Sequence, residues 1–273
     1  MKRGLFAAAL SAALGLSGCI DGGFGHLAAR EHVDVSKPLS AGGRFSLENT
    51  NGSVRVATWG ESRVRIEAEK AAASESALRR IEVAVEGEGD RVEVRTRLPH
   101  GHWFGGGGKV DYTITVPRGA SVSLRNVNGR IEVQDVDGEL HAQNVNGSLD
   151  ATDLGGTVEA TTVNGSVEVR MARVSSSSHN RISSTNGRVR LTLPSDTAAD
   201  VEASVVNGSV HCDFDLQGEH KTRRKIEGRI GTGGARFELR TVNGSAHIDR
   251  GLSSASASAT PAPPVEAQPS RGR

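Results

Sequence analysis

The stretch from Asn126 to Val169 decides the fold, and it reads NVNGRIEVQDVDGELHAQNVNGSLDATDLGGTVEATTVNGSVEV. Pairs that favour turns recur every nine residues: Asn128-Gly129, Asp137-Gly138, Asn146-Gly147, Gly155-Gly156 and Asn164-Gly165. One apolar residue precedes each pair (Val127, Val136, Val145, Leu154, Val163) and another follows it (Ile131, Leu140, Leu149, Val158, Val167). Polar residues alternate with apolar ones between the turns, as on a strand with one buried face. The pattern predicts strands joined by tight turns.

Two architectures fit this pattern. Asn-Gly between apolar alternations is a strong hairpin signal, which would give an antiparallel meander. The alternative is an all-β solenoid with about two strands per coil, in which stacked units bury a continuous core. The constant period favours the solenoid, because each inward residue must lie on its counterpart in the next coil. The recurrence of Asn128, Asn146 and Asn164 every eighteen residues predicts an asparagine ladder along one edge.

Residues 1–18 are a predicted secretory signal. Lys2 and Arg3 give it a positive start, and the apolar run that follows is too short to span a bilayer as a permanent helix. It ends in Leu16-Ser17-Gly18-Cys19, which resembles the bacterial lipobox. We therefore expect Cys19 to be lipidated, since several acyl chains give stable anchoring. Ile20 stands where an inner-membrane retention signal has aspartate, so the outer membrane, facing the periplasm or the cell surface, is the expected location.

The remaining chain divides into a tether, one domain and a tail. Residues 19–34 are expected to carry the lipidated end and tether it to a β-solenoid domain over residues 35–250. Residues 251–273 are mainly alanine, serine and proline, which bury too little apolar area to fold, so a disordered tail is expected. Within the domain, residues 71–80 read AAASESALRR and predict one short helix. Cys212 has no partner for a disulfide once Cys19 is lipidated, and its alternating strand predicts a small buried hydrophobe.

Three stretches together resemble the bacterial putative-adhesin family of β-strand-repeat proteins, whose members carry a domain of unknown function. They are Gly43–Val56, Val110–Pro117, and Gly231–Gly234 followed by Phe237–Ser245. Their order and spacing cover roughly residues 35–250. The resemblance implies a single-stranded parallel β-helix, a location in the cell envelope and no known catalytic residues.

Two segments are candidates for ligand contact. His100, His102 and Trp103 precede four glycines, and a histidine pair could share a metal while the indole could stack on a sugar. No third ligand accompanies the pair, so we predict a surface loop, with ligand contact as the alternative. The second segment is the basic cluster Lys221, Arg223, Arg224 and Lys225. It could contact anionic lipid or lipopolysaccharide phosphates, or it could be a solvated loop.

Composition and motifs argue against several functional classes. The 33 basic and 32 acidic residues leave a net charge of +1, which gives no electrostatic basis for nucleic-acid binding. The turns lack the glycine- and aspartate-rich motif of calcium β-rolls, so no metal site is expected. Acidic residues such as Glu132, Asp135, Asp137, Glu139, Asp150 and Asp153 fall at outward or turn positions. Aromatic residues are few, and neither a Gly-x-Ser-x-Gly elbow nor a His-Glu-x-x-His motif occurs, so no enzyme and no cofactor are predicted.

The resulting hypothesis is a non-catalytic, lipid-anchored envelope protein that acts as a scaffold or adhesin-like binding surface. Its expected partners are the membrane, through the N-terminal lipid, and an envelope polymer or another envelope protein. The alternative is an accessory or sensory component of an envelope-stress pathway. A polysaccharide-active β-helix enzyme is the third hypothesis, although the sequence indicates no particular residue for catalysis.

Overall fold

The computed structural model describes residues 29–98 and 108–254. These residues form seventeen strands and one helix, α1 at Glu75–Leu78. The first five strands are β1 Ala29–Glu48, β2 Val54–Trp59, β3 Arg63–Ala72, β4 Glu82–Arg97 and β5 Lys109–Pro117. The regular central strands are β6 Ser121–Asn128, β7 Ile131–Gln134, β8 Leu140–Asn146, β9 Leu149–Leu154, β10 Val158–Asn164, β11 Val167–Met171, β12 His179–Asn186 and β13 Val189–Leu193. The last four are β14 Ala199–Cys212, β15 Gln217–Lys221, β16 Lys225–Ile230 and β17 Ala235–Arg250.

The central strands build a parallel β-solenoid with two strands per coil, which confirms the predicted fold class. Strands β6, β8, β10 and β12 pair in parallel and form the first face. Strands β7, β9, β11 and β13 pair in parallel and form the second face. The register places Leu140 beside both Val122 and Val158, so a regular coil takes eighteen residues. The antiparallel meander is wrong for this region, because the Asn-Gly pairs turn the chain from one face to the other and do not form hairpins.

The coils at both ends are stacked out of chain order. The coil of β1 and β2 lies between β4 and β5 on one side and β6 and β7 on the other. At the far end, β17 runs through both faces and lies between the coil of β12 and β13 and the strand β14. Residues 44–48 of β1 and most of β17 are therefore hydrogen-bonded on both sides.

Antiparallel strands extend the stack at its two ends. β3 pairs antiparallel with the first half of β1 and with β5. β16 pairs antiparallel with the first half of β14, and β15 pairs antiparallel with β16. All five residues of β15, the outermost strand, are exposed, and three of them are Glu219, His220 and Lys221. Charged side chains on a short edge strand discourage pairing with another chain.

Inward residues stack into continuous rows that form the core. On the first face one row is Leu47, Leu124, Ala142, Ala160, Ile182, Leu239 and Ala203, all essentially inaccessible to solvent. On the second face the matching row is Val56, Val133, Ala151, Val169, Leu191, Ile248 and Cys212. Alanines occupy these rows in the middle coils. The largest buried side chains, Phe45, Tyr112 and Phe237, lie toward the two ends.

Two predicted boundaries need correction. The helix predicted over residues 71–80 covers only Glu75–Leu78, because Ala71 and Ala72 remain in β3 and pair with β1. Ser74 caps it by accepting a hydrogen bond from the Ala77 amide at 3.2 Å. β1 begins at Ala29, within the range expected for the tether, because residues 29–38 pair with β3 over ten positions.

Residues 1–28, on which the anchoring predictions depend, and residues 255–273, most of the predicted tail, lie outside the described residues. At the start of the predicted tail, the amide of Ser254 donates to Asp196 at 2.9 Å. Within the described ranges, no helix has the length and apolar character needed to cross a membrane.

Candidate binding surface

The asparagines of the Asn-Gly pairs form a continuous ladder along one corner of the stack. In spatial order they are Asn51, Asn128, Asn146, Asn164, Asn186, Asn243 and Asn207. Each of the last six donates a side-chain amide hydrogen bond to the preceding asparagine oxygen at 2.8–3.0 Å. The predicted ladder of three asparagines is thus confirmed and extends to seven. At about 4.8 Å per rung, it runs for about 29 Å.

The glycine after each asparagine lets successive coils approach closely. A Cβ placed on Gly165 would lie 2.1 Å from the carbonyl oxygen of Gly147, and one on Gly147 would lie 2.2 Å from that of Gly129. Both glycines also have positive φ, at 155° and 136°. The Asn-Gly pair is therefore a corner element: the asparagine links the rungs and the glycine leaves room for the next one.

A second polar ladder lies just inside the first, and sequence reasoning missed it. Its members are buried polar residues two positions before five of the seven asparagines: Asn126, Asn144, Thr162, Ser184 and Thr241. Each donates to the carbonyl oxygen of the corner glycine in the neighbouring coil, at 2.8–3.3 Å. The recurrence of a polar residue at this inward position was visible in the sequence, and it supplies partners for carbonyls that the tight corner would otherwise leave unbonded.

The residue between the two ladders points outward and forms what we call the valine ridge: Thr50, Val127, Val145, Val163, Thr185, Val242 and Val206. The five valines are 37–56% exposed. The equivalent residues of the opposite corner, Val136 and Leu154, are buried. The nine-residue period therefore hides two different corners, which sequence reasoning treated as one.

The two corners also differ in charge. The residues flanking the valine ridge include Arg125, Arg130, Arg188 and Arg240, against one acid, Glu48. Arg125 reaches Glu48 at 3.6 Å, and Arg130 reaches Asp150 at 2.8 Å. The opposite corner holds Asp135, Asp137, Glu139 and Asp153, of which Asp135 and Asp153 have positive φ at 63° and 57°. Arg118 and Arg173 pair with two of these acids.

The outward rows of both faces carry charges at the rung spacing. The first-face row runs Ser46, Ser123, His141, Glu159, Arg181, Glu238, Glu202 and Glu227. The second-face row runs Arg55, Glu132, Asp150, Glu168, Arg190, His247 and His211. Arg130 lies 3.1 Å from Glu132 and 2.8 Å from Asp150, so these stacked carboxylates share a guanidinium. The acids assigned to a solvated face thus lie on outward rows or at the opposite corner.

Glu238 is the least exposed acid of the first-face row, with a side chain only 6% exposed. Burial alone would raise the pKa of its carboxyl group, but a hydrogen bond from Arg181 and the charges of Arg240 and Arg181 hold that pKa below its ordinary value. Arg181 donates to it from two nitrogens at 3.1 Å. The carboxylate is therefore an ionised crosslink between two coils.

An open groove of about 670 Å³ lies where β14, β15 and β16 meet. Its charged lining comprises Asp200, Glu202, Glu227, Arg229 and Arg236. Arg229 lies 3.1 Å from Asp200, and Arg236 lies 3.6 Å from Glu202. The hydrogen bond from Arg229, followed by that from the Gly234 amide, lowers the pKa of Asp200. Since its charges pair with one another, the groove offers no strongly unbalanced charge to a ligand.

The predicted basic cluster occupies the hairpin between β15 and β16. Lys221 lies 3.5 Å from Glu219, and Lys225 reaches Glu227 at 2.8 Å. Arg223 and Arg224 fix the hairpin through their carbonyls, which accept from the amides of Val210 and Val205. The residues of the predicted cluster therefore have two different roles: the lysines pair with neighbouring acids, and the arginine backbones bond the hairpin to β14. The other predicted contacts, His100, His102 and Trp103, lie outside the described residues.

Two further groups bear on metal and redox chemistry. Cys212 lies on the outermost coil, half-buried, and burial raises the pKa of its thiol. In the part of the chain that the structure describes, one trio could offer metal ligands: His32, Asp34 and Glu67. Arg65 lies between the two carboxylates, at 2.7 Å from Asp34 and 3.0 Å from Glu67. A cation would have to displace this guanidinium.

Comparison with known proteins identifies a family over part of the chain. Residues 143–249 match the family model described as Toastrack DUF4097. No curated protein matches the chain.

Several solved structures are similar to this chain at low identity. A putative cell adhesion protein from Clostridium sporogenes is 10% identical, with a TM-score of 0.47, over 81% of this chain and 100% of its own. A putative adhesin from Bacteroides fragilis is 11% identical, with a TM-score of 0.29, over 81% and 97% of the two chains. One from Parabacteroides merdae is 7% identical, with a TM-score of 0.24, over 81% and 96%. Over residues 143–249, the match to the Toastrack DUF4097 model confirms the resemblance predicted from the sequence.

Proposed function

We propose that this protein is a non-catalytic, lipid-anchored scaffold of the bacterial envelope whose two outward faces bind an envelope polymer or another envelope protein. The observation that carries the proposal is the continuity of the outward rows. On each face, polar and charged side chains follow one another at rung spacing from one end of the stack to the other. An extended surface of this kind suits an extended or repetitive partner.

The rigidity of the stack supports a binding role. The asparagine ladder and the buried polar ladder link every coil at the same corner, and charged pairs such as Arg181–Glu238 link coils across the first face. Side chains that are already held in place lose little conformational freedom when a partner binds. A stiff surface therefore keeps more of its contact energy as affinity.

The carboxyl groups support a non-catalytic role. Among the described residues, each carboxyl group with a resolved shift has a lowered pKa: Asp34, Asp111, Asp196, Asp200, Glu227 and Glu238. A general acid that works at neutral pH needs a raised pKa so that it stays protonated. The outward acids fit the role of ion-pair partners better.

The anchor is proposed from the sequence around Cys19. Nine residues separate Cys19 from the first residue of β1, and even fully extended they span only about 30 Å. The lipid would therefore hold the β1 end of the stack close to the membrane.

Two measurements test the proposal. Labelled palmitate should be incorporated into the wild-type chain and not into Cys19→Ala. Equal incorporation into both would contradict lipidation at Cys19. Photo-reactive residues at His141 on the first face and Glu168 on the second should crosslink to envelope material in native membranes, with Glu139 at the opposite corner as the matched control. Crosslinking no stronger at the faces than at Glu139 would refute the scaffold. A single stoichiometric protein that is captured at one face and lost from the Cys19→Ala variant would favour the sensory alternative.

A further inference from the structure

Exposed apolar side chains are concentrated on the valine ridge. Six large hydrophobic residues are exposed in the described part of the chain, and five of them are Val127, Val145, Val163, Val206 and Val242. Single exposed hydrophobics scattered over a surface are ordinary, whereas these valines form one contiguous row. The register places these valines on consecutive rungs, interrupted only by Thr185.

The fold does not require valine at these positions. Thr50 and Thr185 occupy the same place on two rungs, and threonine is β-branched like valine. Threonine therefore meets the conformational demand of the corner and leaves a polar group toward water. Five valines in seven rungs are an apolar excess that neither strand propensity nor core packing explains.

The shape and size of the ridge argue against a second copy of this chain as its partner. The ridge is a convex corner, so a rigid partner would need a matching groove. The exposed valine surface amounts to on the order of 200 Å² in all, well below the ~800 Å² per partner of a stable protein interface. A deformable medium needs neither a groove nor a large area.

The charges beside the ridge favour an anionic surface. Arg125 and Arg240 are each 61% exposed, Arg130 is 56% exposed, and Arg188 is exposed as well. Arg125 pairs with Glu48, Arg130 with Glu132 and Asp150, and Arg240 with Glu238. A guanidinium carries five N–H donors, so each paired arginine keeps donors for a lipid phosphate. Basic residues within reach of an anionic bilayer are each attracted to it. The acidic residues of the opposite corner would be repelled, so the charge distribution would orient the stack with its ridge toward the membrane.

Placing this corner against lipid has a low desolvation cost. The asparagine amides beside the valines already bond to one another, and the glycine carbonyls accept from the buried polar ladder. Polar groups that keep hydrogen-bond partners are far cheaper to remove from water than unpaired ones.

We propose that the valine ridge is a membrane-contact surface for bilayers that contain anionic phospholipid. The valines enter the boundary between headgroups and acyl chains, and Arg125, Arg130, Arg188 and Arg240 contact lipid phosphates. The solenoid then lies along the bilayer. The proposal stands whether or not Cys19 is lipidated, so the two can fail separately.

The test is lipid-borne quenching of a fluorophore on the ridge. The full chain with Cys19→Ala and Cys212→Ser carries one new thiol, Val145→Cys, labelled with bimane. The matched control places the same label at Glu139→Cys on the opposite corner. Vesicles of phosphatidylethanolamine and phosphatidylglycerol with a quencher near the headgroups should reduce emission at position 145 about twofold or more relative to position 139.

Two comparisons sharpen the result. Adding Val127→Thr and Val163→Thr keeps β-branching but should reduce the quenching at position 145, as should vesicles of neutral phosphatidylcholine. Equal quenching at positions 145 and 139, or quenching unaffected by both changes, would overturn the proposal. So would a label at position 145 that is shielded without vesicles and in proportion to protein concentration, because a second copy would then cover the ridge.

Discussion

Replacing Asn146 by alanine removes two hydrogen bonds from the middle of the asparagine ladder. Its amide donates to the side chain of Asn128 at 2.8 Å, and its oxygen accepts from Asn164 at 3.0 Å. A hydrogen bond contributes a net 0.5–1.5 kcal/mol, so Asn146→Ala should lower the free energy of unfolding by about 1–3 kcal/mol. Equilibrium urea denaturation followed by far-ultraviolet circular dichroism measures this loss as a lower midpoint with an unchanged slope.

Asn207→Ala is the matched control, because Asn207 ends the ladder and its side chain bonds only to Asn243, at 2.9 Å. Its loss should be about half as large. If Asn146→Ala unfolds at the wild-type urea concentration, the ladder does not stabilise the stack. If Asn207→Ala is as destabilising as Asn146→Ala, the effect comes from the lost asparagine itself and not from the number of ladder bonds.

Three further measurements test other parts of the structure. Gly165→Ala should be destabilised by about 2–6 kcal/mol in urea denaturation, because its Cβ would meet a carbonyl oxygen at 2.1 Å at a φ of 155°. The control Gly60→Ala, with open space around the new Cβ, should unfold at the urea concentration of the wild type. Equal unfolding midpoints of the two variants would contradict the close stacking of the coils. Because the pKa of Glu238 is lower in the folded state, its contribution to stability is present above about pH 4.3 and disappears as pH falls through the folded-state pKa. The urea midpoint should therefore fall more steeply between pH 5 and pH 3 for the wild type than for Glu238→Gln. Equal slopes would contradict the ionised pair with Arg181. The thiol of Cys212, with its pKa raised by burial, should react with a maleimide more slowly than a free cysteine at pH 7; reaction at the rate of free cysteine would show an open site.

The regular part of the fold was predictable because its signal is local and repeated. The nine-residue period, the alternation and the Asn-Gly pairs each recur in the sequence, and together they predict two-strand coils and an asparagine ladder. The difference between the corners was missed because Val127 and Val136 have the same place relative to a turn-favouring pair. In the structure, Asn126, Asn144 and Thr162 are buried beside the asparagine ladder, and the valine between the two ladders is exposed, whereas Val136 at the opposite corner is buried.

The order of the coils was not predictable from the repeat. Asn186-Gly187, Asn207-Gly208 and Asn243-Gly244 offer the same corner chemistry, so no local feature states which pair should be adjacent. The order depends on long-range contacts: β16 covers the outer edge of β14, and β17 fills the space on its inner side. The same holds for β1, which enters between two later coils.

The order of the coils supports the ladder, the ridge and both proposals, and disulfide formation tests it directly. His247 of β17 pairs with Arg190 of β13 on one side and with His211 of β14 on the other. In a chain carrying Cys19→Ala and Cys212→Ser, the pair Arg190→Cys and His247→Cys should oxidise to a disulfide, since neighbouring rungs lie about 4.8 Å apart. The pair Arg190→Cys and His211→Cys, separated by two rungs or about 9.6 Å, should stay reduced. A disulfide in the second pair and none in the first would mean that the coils stack in chain order, which would contradict the position of β17 between β13 and β14.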